Sequence, residues 1–180
     1  MSICVFCGSA IGNDKVFSDA ARRLGILLAS RDITLIYGGA DVGLMGILAD
    51  SVLEHHGKVI GVIPDFLMNR EVGHKNLTRL EVVASMHERK KRMTDISDAF
   101  IAIPGGWGTL DELAEILTWK QLGLIQQPVG ILNVNHFFDP LLLQMRLMEE
   151  TGFLRPAYLD FLNVSTSPEE LINLVIPQKG

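Results

Sequence analysis

Residues 102–112 read Ala102-Ile103-Pro104-Gly105-Gly106-Trp107-Gly108-Thr109-Leu110-Asp111-Glu112 and indicate how the chain folds. The apolar run 99–103 has the length and the β-branched content of a buried strand. Pro104 ends this strand, glycine fills three of the next four positions, and a helical pattern follows. A strand, a glycine loop and a helix in this order present backbone N–H groups to an anion, because glycine allows close approach and a helix N-terminus carries partial positive charge. The same residues also fit an ordinary helix start, in which Thr109 and Glu112 would form a capping box.

Strand and helix patterns alternate along the rest of the chain. Strands are expected at 3–7, 33–37, 58–63, 80–84, 99–103, 129–133 and 161–164. Helices are expected at 14–30, 44–55, 86–97, 109–122, 140–150 and 168–174. Such alternation predicts a mainly parallel sheet with helices on both faces. We therefore predict an α/β fold, a Rossmann-like three-layer sandwich in which residues 1–180 form a single domain.

The composition is that of an ordinary globular protein, with 48% hydrophobic and 21% charged residues. The net charge of −5 argues against general binding of nucleic acid or of an anionic membrane, so an anion site must be local. No apolar run approaches the roughly 20 residues of a membrane span, and the first residues lack the basic region of a signal peptide. We expect a cytoplasmic protein.

Neither the cysteines nor the histidines predict a metal site. Cys4 and Cys7 have the C-x-x-C spacing of a redox or zinc pair, but positions three apart in a strand face opposite sides of the sheet. We expect two buried, reduced thiols. The histidines show no metal-ligand spacing, and ordinary surface or capping positions are expected for His55, His56, His74 and His136.

Three of the expected strands end in glycine. The glycines concerned are Gly8, Gly38, Gly39, Gly105, Gly106 and Gly108. Because ligands of such sheets bind beyond the carboxyl ends of the strands, this placement favours a phosphorylated ligand. The spacing matches neither the dinucleotide fingerprint nor the P-loop of ATP-hydrolysing proteins.

The helix expected at 86–97 carries a charge on its apolar face. Met86, Met93 and Ile96 define the apolar stripe, and Arg89 lies on the same stripe with Lys90 at its border. An inward-facing arginine needs an anionic partner, because an unpaired buried charge is costly. Either Arg89 forms a structural ion pair or reaches solvent, or Arg89 and Lys90 complete a phosphate or carboxylate site.

Two motifs together connect the chain to a known family. Residues 104–112 fit the motif P-G-G-x-G-T-x-x-E, and residues 86–90 fit its companion M-H-x-R-K. With this pairing the chain resembles the Lonely Guy (LOG) family of cytokinin riboside 5′-monophosphate phosphoribohydrolases, whose members are often labelled lysine decarboxylases. The resemblance extends over nearly the whole chain. Its departures are Trp107 at the variable motif position, Ala40 after the glycine pair, and Asp111 in place of a frequent glutamate.

This resemblance implies a Rossmann-like homodimer that hydrolyses the N-glycosidic bond of a nucleoside 5′-monophosphate to free base and ribose 5-phosphate, without a cofactor. Arg89 and Glu112 would be the catalytic pair. Substrate or phosphate contacts are expected for Gly8, Ser9, Gly38, Gly39, Glu71, Lys90, Gly105, Gly106, Trp107, Gly108, Thr109, Leu110, Asp111 and Thr118.

The chemistry of the two catalytic candidates agrees with this reaction. Breaking a ribosyl C–N bond develops positive charge on the sugar, which a carboxylate stabilises while it orients or deprotonates water. We assign this role to Glu112. Arg89 would bind the phosphate, hold Glu112 ionised, or both. A neighbouring arginine is expected to keep the pKa of Glu112 low, which favours charge stabilisation over general-base action.

Two other functions fit the same glycine loop. One is a broader nucleosidase acting on AMP and related nucleotides, and the other is a non-catalytic carrier of a phosphorylated nucleotide or cofactor. The carrier would not require Glu112 and Arg89 together. The lysine decarboxylase label implies pyridoxal phosphate held on a lysine, for which the sequence shows no supporting site.

Overall fold

The computed structural model describes residues 1–68 and 73–176, which form a seven-stranded sheet between layers of helices. The strands are β1 (Ser2–Phe6), β2 (Thr34–Tyr37), β3 (Val59–Pro64), β4 (Arg79–Val83), β5 (Ala99–Ala102), β6 (Val129–Leu132) and β7 (Leu162–Ser165). Their order in the sheet is β4-β3-β2-β1-β5-β6-β7, and every neighbouring pair is parallel. The predicted α/β fold is confirmed.

The helices cover both faces of the sheet. They are α1 (Lys15–Ser30), α2 (Gly43–Glu54), α3 (Asp65–Met68), α4 (Met86–Asp95), α5 (Trp107–Gln121), α6 (Asp139–Glu150) and α7 (Pro168–Val175). Helices α1, α2 and α7 contribute to one apolar core, and α4, α5 and α6 pack into the second core on the opposite face. Among the described residues, no helix has the length and apolar composition to cross a membrane.

Both cysteines are buried and free, as the sequence predicts. Cys4 belongs to the core beneath α4 and α5, whereas Cys7 belongs to the core beneath α1 and α2. Burial raises the pKa of both thiols. The C-x-x-C spacing therefore reflects strand alternation and not a redox pair.

The capping box that the sequence allowed as the alternative interpretation of the α5 start does not form. The helix begins at Trp107 with Gly106 as its N-cap, two residues before the expected start. Thr109 therefore lies inside the first turn, where its side chain is buried. Glu112 lies one turn further in and is also buried. Because Gly106 has no side chain with which to cap the helix, the first backbone N–H groups stay open to another acceptor.

His74 also departs from expectation, because it is buried, with 4% exposure, and not a surface or capping residue. Its Nδ1 accepts the Asn76 N–H at 3.2 Å, and its Nε2 lies 3.0 Å from Asp50 Oδ1. Asp41, Asp50 and His74 place potential ligand atoms within 4.8 Å of one another, a spacing that could hold a cation. Since Nδ1 is an acceptor, the neutral ring carries its proton on Nε2 and donates it to Asp50. The cluster therefore works as a hydrogen-bonded clamp that joins α2 to the segment before β4.

The packing of α1 against α2 depends on Gly25. A Cβ on Gly25 would lie 2.6 Å from Ser51 Cβ and 2.8 Å from Leu48 O. We expect Gly25→Ala to lower the free energy of unfolding by about 1–3 kcal/mol, because overpacking outweighs the better helix propensity of alanine. Urea unfolding measures this change.

The matched control is Gly108→Ala in α5, since a Cβ there meets no described atom within 4 Å. Its free energy of unfolding should stay the same or rise by up to about 1 kcal/mol. Equal stability of Gly25→Ala and the unmodified chain would contradict the packing argument.

Candidate active site

A pocket of about 140 Å³ opens at the carboxyl ends of β1, β2 and β5. The sequence-predicted residues that line it are Gly8, Ser9, Gly38, Arg89, Gly106, Trp107, Gly108, Thr109, Asp111 and Glu112. These residues come from four loops and helices, and the parallel sheet brings their ends to one edge. The glycine motif and the M-H-x-R-K motif therefore meet in one place.

The other predicted positions are not part of this lining. Gly39, Gly105, Lys90 and Leu110 lie beside the described lining residues in sequence but are not among them. Thr118 is exposed further along α5, where its hydroxyl donates to Ala114 O. Glu71 lies outside the described residues.

Lys90 is held by carboxylates next to the pocket. Its Nζ lies 3.1 Å from Asp111 Oδ2 and 3.2 Å from Glu115 Oε1. Burial lowers the pKa of Lys90, but the hydrogen bonds to Asp111 and Glu115 outweigh that effect and raise the pKa. The charge of Lys90 is therefore already paired in this structure.

Arg89 and Glu112 face each other at the inner end of the pocket. Arg89 is 7% exposed and Glu112 is 9% exposed, so the prediction that Arg89 faces inward is confirmed. The distance from Arg89 Nη2 to Glu112 Oε1 is 3.9 Å, which gives charge attraction but is too long for a hydrogen bond. Arg89 Nη2 donates instead to Gly38 O at 3.3 Å. The Nε of Arg89 has no hydrogen-bond partner within the described part of the chain.

The pKa of Glu112 is shifted in the opposite direction to the one that the sequence predicts. Burial raises it to about 7, and the nearby charge of Arg89 lowers it by less. The expected low pKa is therefore wrong, because desolvation outweighs the attraction of the guanidinium. At neutral pH, Glu112 can both accept and release a proton.

The same shift makes Glu112 a stability cost at neutral pH. Its pKa in the folded chain lies above its ordinary value of 4.5, so protonated Glu112 favours the folded state. This contribution to the free energy of unfolding is fully present below pH 4.5 and is lost as the pH rises through about 7. Residues that reduce stability in this way are typical of functional sites.

The N-terminus of α5 forms the mouth of the pocket. The first N–H groups of a helix, here those of Trp107, Gly108 and Thr109, have no acceptor within the helix. A Cβ added to Gly106 or Gly108 would meet no described atom within 4 Å, so open space lies beside this backbone. Thr109 Oγ1 is buried and has no hydrogen-bond partner among residues 1–68 and 73–176. The arrangement suits an anion with several acceptor oxygens.

Sequence reasoning missed four residues of the lining. These are Val5, Cys7, Met45 and Met86. Met86 belongs to the motif that contains Arg89, and its Sδ lies 3.8 Å from Arg89 Nη1, so the motif itself was the available signal. Met45 lies in the stretch Gly43-Leu44-Met45-Gly46, which is part of the family resemblance, but its apolar side chain alone does not distinguish it from the core residues of α2. The thioethers provide an adaptable apolar wall.

An apolar pocket of about 300 Å³ adjoins the first and shares Gly8, Ser9 and Gly106 with it. Gly105 also contributes to its lining. Phe17 and Phe137 line it as well and contact each other edge to face, with ring centroids 5.8 Å apart. The glycine loop after β5 therefore lies between a polar pocket and an apolar one.

Among solved structures, the fold is similar to that of the molybdenum cofactor binding protein from Rippkaea orientalis. The two chains share 23% identity with a TM-score of 0.70, over 97% of this chain and 93% of the other. It is also similar to the molybdenum cofactor carrier protein from Chlamydomonas reinhardtii, with 20% identity and a TM-score of 0.71, over 97% of this chain and 94% of that one. At these identities the likeness concerns the fold alone.

Sequence comparisons give a closer relationship. A sequence model of the family described as "Possible lysine decarboxylase" matches residues 45–175. The cytokinin riboside 5′-monophosphate phosphoribohydrolase LOG1 of Arabidopsis thaliana is 46% identical over 94% of this chain and 80% of its own length. The probable enzyme LOGL2 of Oryza sativa subsp. japonica is 46% identical over 94% of this chain and 70% of its own length. Identity at this level over almost all of its length places the chain in the LOG family of phosphoribohydrolases.

Proposed function

We propose that this protein hydrolyses the N-glycosidic bond of a cytokinin-type, N6-modified adenosine 5′-monophosphate and releases free base and ribose 5-phosphate. The observation that carries the proposal is the buried Arg89–Glu112 pair at the inner end of the pocket. Relatives from two plants that are named for this reaction support it.

The substrate's phosphate would bind at the N-terminus of α5. Backbone N–H groups of residues 107–109 would donate to its oxygens, and the open space beside Gly106 and Gly108 would admit them. Thr109 Oγ1, which is buried without a partner in the described structure, would supply one more donor. This position would bring the ribose towards Glu112, which lies three to five residues further along the same helix.

The chemical step would take place beside Glu112. As the C1′–N bond breaks, positive charge develops on the sugar, and the carboxylate stabilises it. Water adds to C1′ and gives one proton to Glu112, which can return it to the departing base. The sum is nucleotide plus water to free base plus ribose 5-phosphate, with no electron transfer.

The pKa of Glu112 suits this proton transfer. A carboxylate with a pKa of about 7 accepts a proton near neutral pH more readily than one with an ordinary pKa of 4.5. Arg89 keeps the pKa from rising further, so that enough of the ionised form is present. Arg89 Nε, without a hydrogen-bond partner in the described residues, would also donate to a substrate oxygen.

The family label of lysine decarboxylase receives no support from the pocket. Within the described part of the chain, no lysine lines it, and the nearest candidate, Lys90, is paired with two carboxylates. A lysine that carries pyridoxal phosphate must be free to form its imine. The broader nucleosidase and the nucleotide carrier remain the alternatives that an assay separates.

We further propose that the protein is a cytoplasmic homodimer. Trp107 is 88% exposed at the mouth of the pocket, and Leu122 and Leu124 are exposed beyond the other end of α5. A second copy packed along α5 would cover these side chains and bring Thr118, on the exposed surface of that helix, towards the interface. This arrangement would allow the predicted substrate contact of Thr118, which is not part of the described pocket lining in one copy.

Glu112→Gln tests the reaction and the role of the carboxylate together. The unmodified protein should release ribose 5-phosphate from N6-isopentenyl-AMP faster than from AMP. The substitution should lower kcat at least about 100-fold, because the amide can neither accept the proton nor carry the negative charge. The product is measured by chromatography, and circular dichroism checks the fold.

Glu115→Gln is the matched control, since Glu115 lies on the same helix and pairs with Lys90 outside the described lining of the pocket. It should keep most of the activity. Equal rates with AMP and isopentenyl-AMP would indicate the broader nucleosidase. Nucleotide binding by calorimetry without any cleavage would indicate the carrier and would sink the proposal.

If the protein is a homodimer, we expect sedimentation equilibrium at micromolar concentration to give a molar mass close to twice 19.9 kDa. The apolar side chains exposed on and after α5 are the physical reason. A mass of 19.9 kDa that does not change with concentration would show that one copy is the stable form.

A further inference from the structure

Gly38, at the end of β2, lies directly against the guanidinium of Arg89. A Cβ built on Gly38 would overlap Arg89 Nη2 and would lie 3.2 Å from Arg89 Cζ, with Met45 Sδ at 3.1 Å on another side. The carbonyl oxygen of Gly38 accepts a hydrogen bond from the same Nη2 at 3.3 Å. The guanidinium therefore occupies the space that any other residue at position 38 would fill.

The backbone itself does not explain a glycine at this position. Gly38 is absent from the residues with a positive φ in the described chain, whereas its neighbour Gly39 has a φ of 79°. An alanine could therefore adopt the conformation of residue 38 without strain. What excludes a larger residue here is above all the side chain of Arg89, which lies 51 residues further along the chain.

We propose that Gly38 is a positioning residue, which holds Arg89 against Glu112 by leaving its guanidinium a place to lie and by accepting its hydrogen bond. This assigns Gly38 a different task from the phosphate contact that the sequence suggested. The expected effect of Gly38 on catalysis rests on the proposed function, whereas its effect on the position of Arg89 does not.

A Cβ at position 38 would displace the far end of the Arg89 side chain, would shift Met45 Sδ slightly, and would leave the backbone in place. Arg89 would have to turn away, and Glu112 would lose its nearest cation. Arg89 lowers the pKa of Glu112, so its displacement would raise that pKa further. Fewer molecules would then carry the ionised carboxylate at neutral pH.

The test is a double-mutant cycle of Gly38→Ala and Arg89→Ala. In the unmodified background, Gly38→Ala should lower the urea midpoint, because it displaces a buried side chain. In the Arg89→Ala background it should lower the midpoint much less, because the new methyl group enters the space that the guanidinium has vacated and only Met45 Sδ, 3.1 Å away, must shift slightly. Gly39→Ala is the contrasting variant. Its φ of 79° and a Cβ contact of 3.1 Å with Ile63 should lower the midpoint equally in both backgrounds.

The kinetic arm uses N6-isopentenyl-AMP. Gly38→Ala should lower kcat/KM at least tenfold at pH 7, and the acidic limb of its pH profile should move to higher pH, as it should in Arg89→Ala. A merely structural role would lower the urea midpoint without moving this limb. An equal loss of midpoint in both backgrounds, or an unchanged kcat/KM, would overturn the proposal. If the unmodified protein cleaves no nucleotide, the proposed function fails, while the urea cycle still decides whether Gly38 positions Arg89.

Discussion

The burial of two opposite charges, on Arg89 and Glu112, is the constraint on which the rest of the site depends. Removing a charge from water is expensive, and a separation of 3.9 Å compensates only part of that cost. The remaining cost appears as a carboxyl group with a pKa of about 7 and as an arginine nitrogen with no partner in the described residues. Both groups are therefore ready to interact with a ligand that brings its own oxygens into the pocket. Stability is given up at the place where the chemistry would occur.

The glycines around the pocket serve this constraint in two different ways. Gly106 and Gly108 border open space, which lets an anion approach the N-terminus of α5. Gly38 borders space that is already filled, by the guanidinium of Arg89. The glycines that follow the strands at this edge of the sheet thus have two roles. Some leave space for a ligand, and others leave space for a side chain of the protein itself. Only the neighbours of the missing Cβ distinguish the two.

Much of the fold follows from the sequence, because periodicity and strand–helix alternation are local properties. The apolar stripe of Met86 and Met93 correctly predicted that Arg89 faces inward. The sequence predicts the start of α5 two residues too late, because Gly106 has no capping side chain that would identify it as the N-cap. The raised pKa of Glu112 could not be predicted from the sequence, because its largest cause is burial, which depends on how closely the rest of the fold packs around the carboxyl. His74 was missed because its partner Asp50 lies 24 residues away and no local pattern links them.

The most direct test is a titration of the Glu112 carboxyl in the ligand-free protein by carbon-13 NMR, with Glu112→Gln used to assign the signal. A midpoint near pH 7 is expected, since burial dominates and Arg89 only moderates it. In Arg89→Ala the midpoint should move to higher pH, because the moderating charge is gone. A midpoint at or below 4.5 in the unmodified protein would show that Glu112 is not a buried proton acceptor. The pocket would then need another group for the chemical step.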